Sequence, residues 1–174
     1  MKNKTPIATI LVICITIIAY YLQTTNNYLM LIFGLNINFS KGLYWQPLTT
    51  MFMHGGLMHL FMNMAVLWQL GSVLENARGW LYFSLLYFLG GILTSLFTLI
   101  YIYNFNTHSN VVGASGAICV LIGWIAKKDP FSRKGLIIAV LLISFAPLLI
   151  GVNVAWFAHI LGFAVGYLIA KYVR

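Results

Sequence analysis

The chain has 174 residues, of which 61% are hydrophobic and only 7% charged, against about 25% charged in a typical soluble domain. Such a chain cannot hide its apolar surface in one water-soluble core, so lipid is its solvent, and the net charge of +8 points to acidic lipid head groups rather than nucleic acid. Two cysteines, Cys14 and Cys119, give neither a disulfide framework nor a metal-ligand spacing, so no metal and no cofactor is expected; the length suits one domain over residues 1–174.

Apolar runs predict an all-α, polytopic membrane bundle of six spanning helices, at residues 6–22, 48–71, 80–103, 113–126, 135–150 and 154–172. A spanning helix needs about 20 residues, with a range of roughly 17–25. Four runs meet this, the fifth is slightly short, and the fourth has only 14 residues. The first run follows Lys2 and Lys4, shows no small-residue cleavage site and reads as a retained helix. The connection at 23–47 is long, and its apolar stretch 28–35 is too short to span, so it is expected in or near the interface. Tyr44 and Trp45 suit the aromatic belt where the second span enters. Arg78 separates the second and third spans, a polar loop at 104–112 the third and fourth, and Lys127, Lys128, Arg133 and Lys134 the fourth and fifth. A very short connection at 151–153 precedes the last span, which ends in Lys171 and Arg174. With six spans, nine of the ten basic residues fall on one side and only Lys41 on the other. The positive-inside rule makes the nine-residue side cytoplasmic, with both termini there.

Ionisable and polar side chains in lipid are costly and mark function by default. His54, His59 and His159, three of the four histidines, lie within or at the edge of expected spans. Asn63 follows His59 by four residues, which sets both on one helix face. Ser115 lies in Gly113-Ala114-Ser115-Gly116, where a polar loop becomes the fourth helix. Each has a structural reading beside the chemical one. A Gly-Ala-Ser-Gly run suits close helix packing, an intramembrane histidine suits a bond to a neighbouring helix, and His54 reads as structural.

Depth favours the chemical reading. The second, fourth and sixth helices all run from outside to inside. Ser115 lies twelve residues before Lys127, His159 twelve before Lys171, and Asn63 twelve before Glu75, with His59 one turn higher. Twelve residues rise about 18 Å, which places these groups together roughly 12 Å below the outer face of a 30 Å core. The short fourth helix, about 21 Å long, is expected to begin inside the membrane, where irregular backbone needs protein or a water-filled cavity around it. Ser115 then sits at a helix N-terminus on the floor of an aqueous pocket open to the outside. Free N–H groups there suit an anion, and hydrolysis of an amide needs that anion stabilised, with water and a base.

Ser115, Cys119 and Gly123 form one stripe of small residues, and His159 is followed by Gly162 and Gly166 on one face of the sixth helix. Small faces let backbones approach, which is expected to bring the serine oxygen within hydrogen-bond reach of the imidazole. The only carboxylates, Glu75 and Asp129, are expected at the cytoplasmic end. Hydrolytic chemistry then rests on a Ser115–His159 dyad, with local packing orienting the imidazole.

Taken together, His54-Gly-Gly-Leu-Met-His59-Leu-Phe-Met-Asn63, Gly71-x3-Glu75-x3-Gly79, Gly113-Ala114-Ser115-Gly116 and Ala158-His159-x2-Gly162-x3-Gly166 resemble the rhomboid intramembrane serine proteases in their minimal six-helix bacterial form. The resemblance covers nearly the whole chain. It implies that Ser115 is the nucleophile and His159 the general base. It also implies an oxyanion hole of His59, Asn63 and the Ser115 backbone N–H. Substrates would be single-span membrane proteins whose helix is unstable near the cut, and the setting a bacterial cytoplasmic membrane. Two positions depart from the family pattern. Gln46 follows Trp45 where members commonly carry arginine, which bears on how the first external loop is anchored. Cys119 stands where many carry a tyrosine under the histidine ring, so the imidazole is expected to be held less rigidly.

Other classes fit less of the chain. A non-catalytic rhomboid-like protein that binds membrane clients usually lacks the serine or the histidine. A channel or transporter leaves the Gly-Ala-Ser-Gly helix start without a purpose. A metalloprotease is excluded, since His54 and His59 are five apart and no His-Glu-x-x-His is present.

Overall fold

In lipid every backbone N–H and C=O has to find its partner within the chain, which leaves the helix as the viable form for these apolar runs. The structure is a computed structural model that describes residues 5–26, 28–105, 107 and 109–172. It consists of α1 (Ile7–Thr25), two short helices α2 (Tyr28–Phe33) and α3 (Gln46–Thr49), and then α4 (Leu57–Arg78), α5 (Trp80–Asn104), α6 (Ser115–Lys128), α7 (Arg133–Leu149) and α8 (Trp156–Tyr172). The one bridge outside helices among the described residues is antiparallel, between Leu35 and Val111. Helices α1, α4 and α5 are long and apolar enough to cross a bilayer, α7 and α8 have 17 residues each, and α6 has 14. The protein is a polytopic helical membrane bundle.

The second span departs from its expected limits of 48–71. The chain makes α3 and a 3-10 turn at Thr50–Phe52, then leaves the helix until Leu57. The physical reason lies in His54 and the two glycines after it. Gln23 of α1 takes both backbone groups of His54, donating to its carbonyl at 2.5 Å and accepting its N–H at 3.0 Å. His54 therefore has no backbone group left for a helical ladder, and Gly55-Gly56 has the weakest helix propensity bar proline. At the other end α4 runs through Gly71 to Arg78 and stops at Gly79, whose φ of 89° favours glycine. Gly71 serves close packing, because a Cβ there would meet the Thr9 side chain at 2.9 Å.

The first external connection is anchored by side chains that close the end of α2. A helix leaves its last four carbonyls without intrahelical donors. Asn110 Nδ2 donates to Met30, Asn36 Nδ2 to Leu31, Trp45 Nε1 to Ile32 and Thr49 Oγ1 to Phe33, at 2.8 to 3.2 Å. Gln46, wholly buried, accepts from the Asn36 N–H at 3.2 Å and turns its amide toward the Leu31 and Ile32 carbonyls at 3.4 Å. A neutral amide thus anchors the first external loop.

Helix α6 is the axis of the bundle, packed by α4, α5, α7 and α8, with every side chain from Ala117 to Trp124 buried. Its closest neighbour is α8. A Cβ on Gly162 would fall on the Gly116 carbonyl, one on Gly166 on the Val120 carbonyl, and one on Gly123 on the Phe163 carbonyl. Glycine on both helices therefore brings backbone against backbone. On the other side of α6, Ala117 lies where a Cβ on Gly91 of α5 would meet it at 2.9 Å.

Basic residues gather at one end. The Arg78 guanidinium lies over the Tyr82 and Trp124 rings, 4.7 and 5.5 Å from their centroids, and Lys127 over Tyr167 at 5.0 Å. Arg133 donates through Nε to the Ala126 carbonyl at 2.8 Å. Beside them the Ser132 side chain holds the exposed Asp129 carboxyl below its usual range. Lys2, Lys4 and Arg174 lie outside the described residues.

Glu75, expected at the cytoplasmic end, lies near Arg78 of the basic cluster and is buried. Its carboxylate accepts from the backbone N–H of Ala8 at 2.9 Å, and from the N–H and hydroxyl of Thr9 at 2.8 Å each. It caps the first turn of α1, where a negative charge also suits the helix dipole. Replacing it leaves buried donors unpaired, at about 1–3 kcal/mol for such a group. Glu75→Ala is expected to lower the thermal unfolding midpoint in mild detergent, and Thr9→Val to lower it less. An unchanged midpoint for a folded Glu75→Ala protein would contradict the cap.

Candidate active site

The loop before α6 is polar and short of regular structure, so its placement depends on bonds to other segments. Leu35 and Val111 exchange two backbone bonds of 2.8 Å. Thr50 grips the next residues, its hydroxyl donating to the Val111 carbonyl at 2.6 Å and its carbonyl accepting the Gly113 N–H at 3.0 Å. His54 completes the clamp, its Nε2 accepting the Ala114 N–H at 3.4 Å. His54 is wholly buried and takes the structural part expected of it.

Gly113 then turns the chain with a φ of 125°, in the region that favours glycine. A Cβ here would meet Cε1 of His59 at 2.8 Å. Two residues later Ser115 opens α6. The first intrahelical bond runs from the Ile118 N–H to the Ala114 carbonyl at 2.9 Å, so the N–H groups of Ser115, Gly116 and Ala117 have no intrahelical acceptor.

The α6–α8 seam sets His159 against this helix start. Its Nε2 lies 2.9 Å from the Ser115 oxygen, and the residue is 7% exposed. From α4, His59 presses its ring toward Gly113, and its Nδ1 accepts the Gly55 N–H at 3.4 Å. A neutral imidazole that accepts at Nδ1 carries its proton on Nε2. Asn63 donates one amide hydrogen to the His59 carbonyl at 2.8 Å and keeps a second. Ser115, His159, His59 and Asn63 all line one cavity of about 1230 Å³. Its walls include Ser109 and Asn110 before α6 and Asn153 before α8, so it opens at the end of the bundle opposite the basic cluster.

A donor-rich helix start, an unencumbered serine and an imidazole in direct contact can deprotonate a hydroxyl and hold an anion beside it. One contact was not expected from sequence. Ser144 of α7 is wholly buried with its oxygen 3.4 Å from His159 Nδ1. The available signal was slight: Ser144 is the lone polar side chain in the apolar run 135–150. A membrane helix tolerates such a serine cheaply by bonding it to its own backbone.

Comparison with known proteins places the chain in a family. A family model described as Rhomboid domain matches residues 41–174. RHOMBOID-like protein 4 of Arabidopsis thaliana is 35% identical over 134 residues, covering 72% of this chain and 33% of that protein. Inactive RHOMBOID-like protein 8, from the same plant, is 34% identical over 84 residues, covering 48% of this chain and 24% of that protein. Rhomboid protease GluP of Bacillus subtilis (strain 168) is 30% identical over 140 residues, with 76% of this chain and 27% of that protein covered. The chain spans about a third or less of the length of these curated relatives.

Gly113 offers a test of how the turn before α6 places Ser115. Forcing alanine into a positive-φ turn costs about 1–3 kcal/mol, and here the added methyl also meets His59. Gly113→Ala is expected to slow covalent labelling of Ser115 by a fluorophosphonate at least tenfold. Gly135→Ala, with open space around its Cβ, is the control. Equal labelling rates in the two folded variants would mean that the turn does not position the serine.

Proposed function

Because the chain belongs to the rhomboid family, we propose that it is an intramembrane serine endopeptidase working through a Ser115–His159 dyad. The observation that carries this reading is the 2.9 Å contact between Ser115 Oγ and His159 Nε2 at the floor of the cavity. His159 accepts the serine proton as Oγ attacks the scissile carbonyl. The oxyanion so formed takes hydrogen bonds from the Ser115 N–H, from His59 Nε2–H and from the second amide hydrogen of Asn63. His159 then returns the proton to the leaving amine, and water entering from the cavity mouth releases the acyl group by the same steps in reverse.

The proposed substrates are single-span membrane proteins, cut in or near the spanning segment where its helix is unstable. A regular helix keeps its carbonyls bonded and shielded, so an unwound segment is what such a cavity can admit. The proposed setting is a bacterial cytoplasmic membrane, with both termini in the cytoplasm and the cavity facing out. The basic end of the bundle supports that orientation. Reporter fusions after Arg78 and after Lys134 are then expected to read cytoplasmic, and one at Ser109 external. A cytoplasmic signal at Ser109 would reverse the assignment.

The dyad itself is tested by labelling and by cleavage of a single-span substrate in detergent. Wild-type protein is expected to react with a fluorophosphonate at Ser115, Ser115→Ala to give the blank, and His159→Ala to lose nearly all reaction. His59→Ala and Asn63→Ala are each expected to retain cleavage reduced by about 10²–10³, the usual loss for one oxyanion donor. Labelling that persists in Ser115→Ala would identify another nucleophile. A folded wild-type protein that binds the substrate but neither labels nor cuts would instead be a client-binding relative.

A further inference from the structure

Helix α7 touches the rest of the bundle through little of its surface. Among its 17 residues only Val140 and Ser144 are buried, and both have nearly no exposure. They lie one turn apart on one face. The Ser144 oxygen is 2.6 Å from the Val140 carbonyl and 3.4 Å from His159 Nδ1. A serine hydroxyl has one hydrogen and two lone pairs. The shorter contact, to a carbonyl that can only accept, claims the hydrogen. What Ser144 offers the imidazole is therefore a lone pair.

We propose that Ser144 is a positioning residue that sets the tautomer of His159, holding the hydrogen on Nδ1 and leaving Nε2 bare toward Ser115. This rests on the dyad reading above and extends it. A neutral imidazole has one N–H and one lone pair, and which nitrogen holds which is decided by the partner of the other. With the hydrogen on Nε2 the ring would donate to the serine and be unable to take its proton. With the hydrogen on Nδ1, donated to Ser144, the 2.9 Å contact at Nε2 is an acceptor for the Ser115 hydroxyl. When the proton arrives, Ser144 still accepts from Nδ1–H and gives up nothing.

No carboxylate is available for this work. Glu75 is engaged at the start of α1, and Asp129 follows the far end of α6, accepting the Phe131 N–H at 3.0 Å. The other titratable groups around the cavity are His59 from α4 and Tyr101 from α5. Buried Cys119 lies on the α6 face toward α8, and neither it nor the other two is in hydrogen-bond contact with Nδ1. The orienting element is thus a hydroxyl on a third helix.

The test is nitrogen-15 NMR of histidine-labelled protein in detergent, at a pH where the rings are neutral. His159→Gln identifies the signals of His159 by their loss. The proposal expects wild-type His159 in the Nδ1–H form. Ser144→Ala is expected to shift it toward a mixture and to lower kcat about three- to tenfold, the rate equivalent of one neutral hydrogen bond, with KM little changed. Ser144→Thr, which keeps a hydroxyl, is expected to restore both. A wild-type ring in the Nε2–H form overturns the proposal whether or not any variant folds. So does a folded Ser144→Ala protein with unaltered tautomer and kcat. Failure of the dyad reading looks different: Ser115 would not label, while the tautomer would still respond to Ser144.

Discussion

Backbone contact between α6 and α8 is the constraint from which the site follows. Gly162 lies against the Gly116 carbonyl, and Gly166 against that of Val120. Gly116 is next to Ser115, and Gly162 is one turn past His159, so the glycine contact and the serine–histidine contact are two levels of one seam. Lipid supplies no hydrophobic drive for helix association, and close packing has to supply it. The same packing sets reactive distances, where an error of about 1 Å can cost a hundredfold in rate. Any side chain added to the seam therefore moves Ser115 against His159 through geometry alone.

Polar side chains do the remaining alignment, and nearly all of them bond backbone. Gln23 holds His54, which holds Ala114. Thr50 holds Val111 and Gly113. Asn36, Gln46 and Asn110 close the end of α2. Outside helices the backbone has few partners of its own, and an unpaired group in a low-dielectric interior is expensive. Segments that look irregular are for this reason specified by side chains at distant positions. Cys119 fits the same economy, a small buried group that leaves the imidazole to be oriented from α7.

Much of this could be read from the chain, because lipid imposes simple rules. Apolar run length located the long helices of the bundle, apart from the start of α4, and the stripes of Gly123, Gly162 and Gly166 marked where two of them meet. The four polar residues proposed for the site were detectable as exceptions to an apolar background. The rest depended on partners far away in sequence. The break before Leu57 shows in the sequence only as Gly55-Gly56 within an apolar run, because Gln23, which takes the backbone groups of His54, belongs to another helix. Glu75 reads from sequence as a charge at the end of the bundle, but its partners at the start of α1 lie more than sixty residues away. Ser144 is an ordinary hydroxyl in an apolar helix, and only the neighbouring imidazole distinguishes it. Small-residue spacing marks a face that can meet another closely, whereas a polar residue's partner on a distant segment leaves no mark of its own.

The helices also differ in height, and that difference acts outward. Helix α5, with 25 residues, rises about 37 Å, whereas α7 and α8, with 17 each, rise only about 26 Å. A hydrocarbon layer of about 30 Å is too thin for the first unless it tilts, and too thick for the other two. Tilt takes up the excess of α5, while the shortfall at α7 and α8 falls on the lipid or on flanking side chains, at a fraction of a kcal/mol for each ångström of mismatch. By helix length alone, the α7–α8 flank therefore has a larger hydrophobic mismatch to meet than the flank of α1, with its 19 residues.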